Sequence, residues 1–130
     1  MATGLAAATA NSLLDALVNA ANYTAPTAVW LQLHTADPGA AGTTSVAGNT
    51  TRKDITAAFS AAGSGAVTND VAVTWTSVST SEDYTHCSAW SASSAGTFYW
   101  SAPITANAVT AGDTFTLAVG DIDLSFTVAS

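Results

Sequence analysis

The residues best equipped for chemistry are two histidines, one cysteine and nine acids. His34 stands three positions before Asp37 in "VWLQLHTADPG", residues 29–39. A general base needs a partner within hydrogen-bond reach and a cleft around both. Asp37-Pro38-Gly39 is instead turn chemistry: the Asp side chain caps the turn, Pro presets φ, and Gly accepts positive φ. The spacing predicts a strand ending in a turn, with His34 at an edge or interface position and outside catalysis. His86-Cys87 is the second pair. Neighbouring side chains in a strand point to opposite faces, so these two do not cooperate without a bulge. A structural zinc takes four Cys or His ligands, and the chain holds three such residues. Cys87 is expected as a small buried hydrophobe. Asp121 and Asp123 share a strand face, with Asp70 and Asp113 near other turns. They offer oxygens that calcium accepts, but without the spacing of a calcium-binding hand. A solvent-facing acidic stripe that protects a strand edge is the expectation. The chain is therefore expected to have no catalytic residues, no metal site and no cofactor.

Charge excludes further classes. The chain has 130 residues and a net charge of −7, and its only two bases are adjacent, Arg52 and Lys53. Phosphate binding needs clustered cations that release counterions, so neither nucleic acid nor an anionic membrane surface is an expected partner. With one cysteine there is no intrachain disulfide, and stability must come from packing or from neighbouring subunits. The opening "MATGLAAATANSLLDALVNA" lacks a basic region and is interrupted by Asp15. It matches neither a signal peptide nor a membrane span.

The elements that must position these residues follow from periodicity. Alanine supplies 29 residues, with ten Val, eight Leu and eleven aromatics as the bulkier apolar stock. Residues 1–11 read as an N-terminal arm and 12–130 as a single β-sandwich domain that includes a helix over 12–22. Ser12 and Asp15 have capping-box spacing. Leu13, Leu14, Leu17 and Val18 form one stripe, expected to lie across one side or end of a sheet. From residue 28 the period becomes two. Val29, Leu31 and Leu33 alternate with Trp30, Gln32 and His34. Shorter alternations follow at Ile55–Phe59 and Val71–Trp75. Tyr84–Ala92 and "TFYWSAPI" have the form of a hairpin. The final strand places Ile122, Leu124, Phe126 and Val128 inward. About eight short strands predict an all-β, antiparallel, jelly-roll-like sandwich. Trp90, Phe98, Tyr99 and Trp100 are expected to pack into the core, with Tyr99 facing opposite to Phe98 and Trp100. Exposed, Trp90, Tyr99 and Trp100 would instead mark a sugar platform or a subunit interface.

The stretch "LLDALVNAANYTAPTAVWLQLHTADPG" resembles the opening of small tailed-phage proteins of the Gp80-like tail-fibre family. There a Leu-rich helix precedes a strand and a Thr-Ala-Asp-Pro-Gly turn, so Asp37, Pro38 and Gly39 are diagnostic. The resemblance continues through "AFSAAGSGAVTNDVAVTW", "SAWSASSAGTFYWSAPI" and "VTAGDTFTLAVGDIDLSF", from about Leu13 to Phe126. Similar sequences often hold an aromatic or aliphatic residue in place of His34. They also carry a Glu-Val-Ser-Gly-Gly-like run before Tyr-Ala-Arg, where this chain reads "SVAGNTTRKDI" and only Arg52 matches. The resemblance implies a virion structural protein, assembled in the host cytoplasm, with no catalytic residues to carry over. A fibre shaft needs a long repeat, and none is visible. A compact domain of radius near ~14 Å suits a capsid decoration or minor capsid protein that stabilises the shell. Leu13, Leu14, Leu17, Arg52 and Lys53 are the candidate docking residues toward the major capsid protein. The alternative is a tail-associated module, placed among tail proteins, that binds host glycan through Trp90, Tyr99 and Trp100. A homo-oligomer, such as a trimer, suits either location.

Overall fold

A computed structural model describes residues 3–130 of the chain. They form one helix, α1 (Ala7–Val18), and eight strands: β1 (Trp30–His34), β2 (Lys53–Asp54), β3 (Ala66–Thr68), β4 (Val73–Trp75), β5 (Glu82–Trp90), β6 (Phe98–Val109), β7 (Phe115–Leu117) and β8 (Asp123–Ser125). The strands make a four-stranded sheet in the order β2-β1-β5-β6 and two ribbons, β3-β8 and β4-β7. All pairings are antiparallel, and the fold is an all-β sandwich with one short helix, as the alternation predicts.

The long β5–β6 hairpin is the spine. Its turn uses left-handed backbone at Ala95 (φ 51°) and Gly96 (φ 84°). A side chain at Gly96 would stand 2.6 Å from the Ser91 hydroxyl. Strict alternation along β5 puts Cys87 and Ala89 toward the core and His86, Ser88 and Trp90 on the other face. A register shift between Tyr84 and His86 re-phases that alternation, which turns Tyr84 inward against Phe115, ring centroids 4.9 Å apart. Trp75 joins them at 5.8 Å from Phe115, and its indole N–H donates to the Thr51 carbonyl. One continuous core thus links Leu31, Leu33 and Trp100 of the large sheet to Trp75, Phe115 and Leu117 of a ribbon.

Asn69, fully buried, ties the ribbons together. Its amide donates to the carbonyls of Val71 and Ala118, and its side-chain oxygen accepts from the Ile122 N–H. The alternation expected over Val71–Trp75 therefore shortens here to β4, Val73–Trp75, leaving Val71 exposed.

Several expected boundaries shift. The helix runs over Ala7–Val18, not 12–22, so residues 7–11 of the expected arm are helical. Gly4–Ala6 pairs with β6: Ser101 N–H donates to Gly4 and Ala6 N–H to Tyr99, each at 2.8 Å. Where that pairing releases the chain, alanine's helix propensity starts the helix at once. Ser12 is consequently mid-helix and donates to the Ala8 carbonyl one turn back, the usual recourse of a hydroxyl inside a helix. The helix ends where Ala20 turns left-handed at φ 54°. Nor does α1 lie across a sheet, for none of its residues is buried. The strand expected at Ile55–Phe59 is a turn after a two-residue β2, because Asp54 accepts the Thr56 N–H and folds the chain over. Ile55 and Ala58, not Ala57, are buried there. In the last strand Ile122 is buried, but Phe126 and Val128 are 62% and 52% exposed. Their partner β3 is only three residues long, and beyond it the end meets Gly65, whose carbonyl accepts the Phe126 N–H at 2.7 Å and which has no side chain to cover them.

Candidate functional site

The face of the large sheet away from the core carries Gln32 and His34 of β1. Residues 35–51 turn back along β1, where Thr35 N–H donates to Ser45 and Ala47 N–H to Leu33. Gly42, at φ 71°, lets this loop press on Phe98, where a Cβ would meet the ring at 2.6 Å. His34 is sealed beneath it. β2 pairs only with Trp30 and Leu31; at His34 the flank is taken by Val46 of this loop, and the edge position expected for His34 is corrected to full burial. Its Nδ1 faces the Thr44 carbonyl at 2.9 Å and its Nε2 the Ser88 hydroxyl at 2.7 Å. Only a donor satisfies a carbonyl, which assigns the proton to Nδ1 and makes Nε2 the acceptor of the Ser88 hydroxyl. Ser88 in turn accepts the Trp90 indole N–H at 2.8 Å. Burial, above all, holds the His34 pKa below its ordinary value.

A serine hydroxyl on a histidine nitrogen is the contact of an activated nucleophile. Here both residues are 0% exposed, so no substrate reaches the oxygen, and Nδ1 is oriented by a carbonyl instead of a carboxylate. The arrangement satisfies buried polar groups. His86 faces His34 directly across the β1–β5 pairing, a juxtaposition that strand alternation alone did not reveal. Cys87 points to the opposite face, fully buried, with its thiol pushed up to about 12 by desolvation.

Arg52 was a candidate for docking to another surface. It is bound within its own chain. The guanidinium lies 4.4 Å over the Trp90 ring and donates to the Gln32 side chain and to the carbonyls of Ala92 and Ala95. It clamps the β5–β6 turn to β1, combining cation–π attraction with directed hydrogen bonds. Lys53 beside it is half-buried. Trp90 and Trp100 make no joint platform: each is under 10% exposed, and they occupy opposite faces of the sheet. Trp90 stacks on Phe98 and Trp100 meets Phe59 edge-on at 6.1 Å. Tyr99 is half-buried against the core.

The acids serve turns. Asp37 accepts the Gly39 N–H at 2.8 Å, with Gly39 at φ 75° and Pro38 buried between them. Asp113 and Asp121 likewise accept the N–H groups of Thr110 and Ala118. Among the described residues no group of three or more His, Cys, Asp or Glu could hold a metal ion, and no helix is long and apolar enough to cross a membrane.

The unpartnered surfaces lie elsewhere. On α1, Leu14, Leu17 and Val18 are 57%, 79% and 70% exposed, with Leu13 half-buried. Near the root of α1 an apolar groove of about 490 Å³ opens between Leu5 and the β3–β8 ribbon, lined by Ala62, Val67, Leu124 and Phe126 among others. Such surfaces support association between chains. Leu14 and Leu17 were legible as a stripe. The groove was not, because it joins residues some sixty positions apart whose only sequence signal is apolarity.

A comparison with curated proteins finds no match. A family model described as podophage GP4 fiber I protein gp80 matches residues 4–125, nearly the whole chain, and includes the helix, the Asp37-Pro38-Gly39 turn and all eight strands. The chain therefore belongs to the family of the podophage GP4 fiber I protein gp80.

Proposed function

We propose that this chain is a non-enzymatic structural module of a phage tail fibre, which works by contact with other protein chains of the virion. The observation that carries this reading is the contrast between its surfaces: Ser88, His34 and Cys87 are sealed, while the apolar stripe of α1 stands open. The family's description supports a fibre over the capsid-decoration role that compact size suggested. Glycan recognition through Trp90 and Trp100 has little support, since a sugar platform requires exposed ring faces.

Gold-labelled antibody against the chain, imaged on intact virions by electron microscopy, tests the placement. Label on tail appendages is expected. Label spread over the heads, with tails bare, would replace the fibre reading by capsid decoration. The absence of the protein from purified virions would sink both.

A further inference from the structure

On the outer face of the β1–β5 pairing, His34 stands across from His86, and Gln32 across from Ser88. Hydrogen bonds run through this row in one direction. The Trp90 indole N–H donates to Ser88, the Ser88 hydroxyl to His34 Nε2, and His34 Nδ1–H to the Thr44 carbonyl. Each proton has one place in that relay, and the relay needs a neutral imidazole. A second proton on the ring would have to sit on Nε2, where the Ser88 proton already points. Ser88 is fully buried, so its displaced proton meets no water.

The charged groups that face His34 add to the conflict. His86 on β5 and Arg52 ahead of β2 are both bases. The acids of the neighbouring elements are engaged with backbone: Asp37 accepts from Gly39, Asp54 from Thr56, and Glu82 from Gly48 and Asn49. Asp83, on β5, is exposed.

We propose that His34 is a proton-operated latch on the segment Thr44–Ala47, which leaves the edge of β1 when the imidazole takes up a proton. The segment is tied to β1 by two backbone hydrogen bonds, Thr35 N–H to Ser45 and Ala47 N–H to Leu33, and by the imidazole itself at Thr44. Of its four side chains only the Ala47 methyl is buried, so little packing resists a local opening. Ser45 is held at φ 52°, a left-handed backbone that a Cβ disfavours. The motion is bounded: the Asp37-Pro38-Gly39 turn fixes one end, and Glu82 holds Gly48 and Asn49 at the other. Opening brings water to the charged ring and frees the backbone of Leu33 and Thr35 along β1.

The sign follows from burial. The closed form disfavours the proton, in keeping with the lowered pKa of His34. The open form binds it with ordinary imidazole affinity, so closure is unopposed above about 6.5 and weakens as pH falls. One proton shifts the opening equilibrium by up to about tenfold per pH unit, and by roughly thirtyfold between pH 7.5 and 5.

Amide hydrogen exchange on the full-length chain, corrected for the intrinsic pH dependence of exchange, reads the latch at Thr35 and Ala47. Both amides are expected to be at least about tenfold less protected than the slowest amides of the β5–β6 hairpin. Their protection should fall by about thirtyfold from pH 7.5 to 5. The fall should disappear in His34→Gln, which keeps a donor and an acceptor without the titration, and persist in His86→Gln. Imidazole nitrogen shifts of the unaltered chain should show the Nδ1–H tautomer of His34 at pH 7.5. A fall of less than about threefold, or an unchanged fall in His34→Gln, overturns the proposal. Protection equal to the hairpin's at every pH also overturns it, since the segment then opens only with the whole domain. Loss of the fall in His86→Gln would place the titration on His86, and an Nε2–H tautomer would remove the relay; either result overturns the latch. The tautomer and the parent's pH profile require no substitution, so they decide the matter even where His34→Gln does not fold.

Discussion

Asn69 offers the sharpest test of how the two ribbons are held. Asn69→Ala removes three hydrogen bonds, to Val71, Ala118 and Ile122. The three partners do not suffer equally. Val71 and Ala118 are exposed residues, so their carbonyls can recover water and lose only the net value of a hydrogen bond, about 0.5–1.5 kcal/mol each. Ile122 is 0% exposed, and its orphaned N–H adds a desolvation cost of about 1–3 kcal/mol. The sum is roughly 4 kcal/mol, a large share of the 5–15 kcal/mol of a typical domain. For a domain of this size it corresponds to a fall in melting temperature of about 16 °C. Urea unfolding followed by tryptophan fluorescence is the assay, since Trp75 in the core reports on both layers. The midpoint should fall with the slope unchanged. Asp70→Ala, at the exposed neighbour, should stay within about 0.5 kcal/mol of the parent. Asn69→Asp, which turns an acceptor toward two carbonyls, should be at least as damaging as Asn69→Ala near neutral pH. A loss under about 1 kcal/mol for Asn69→Ala, or an equal loss for Asp70→Ala, would refute this account of the knot.

His34 is buried with a pKa below its ordinary 6.5. The unfolded chain then binds the proton first, so stability is full above about 6.5 and declines as pH falls from there toward the folded-state pKa. Melting curves between pH 7.5 and 5 should show this slope in the parent and less of it in His34→Gln; equal slopes would discount His34. Cys87, buried with its thiol near 12, should resist an aromatic disulfide reagent in the native protein and react fully in urea. Rapid native labelling would mean that the core opens. Gly42→Ala combines a φ of 71° with a 2.6 Å approach to Phe98, and should cost roughly 1–3 kcal/mol by overpacking and strain. Chemical denaturation checks it, and a neutral result would show that the 35–51 loop rests loosely on the sheet.

Local chemistry was most legible where few residues decide the outcome. Asp37-Pro38-Gly39 forms the turn its residue types require, and the β5–β6 hairpin follows from two alternating runs around a Ser-Ser-Ala-Gly turn. Cys87 is buried, as a lone cysteine in a strand should be. The candidate site was half legible. Leu14 and Leu17 are a stripe by spacing alone, yet nothing local says whether a stripe is covered. Arg52 could not be assigned from its neighbours, because Gln32, Trp90 and the Ala92 and Ala95 carbonyls reach it from 20 to 43 positions away. His34 failed for the same reason: its exposure depends on where the loop after Gly39 travels.

The amino-acid sequence by itself determined the all-β class, the eight-strand count, the turn chemistry and the absence of a cationic surface. Those properties reside in periods of two, in Gly and Pro positions and in net charge, and they act over a few residues or on the whole composition. Tertiary structure alone decided which polar side chains are sealed and which apolar ones stay open. Burial is set by the return of distant segments, and local pattern carries no record of that return. The loop over His34, the clamp of Arg52 on Trp90, the Asn69 knot and the uncovered face of α1 all arise in this way.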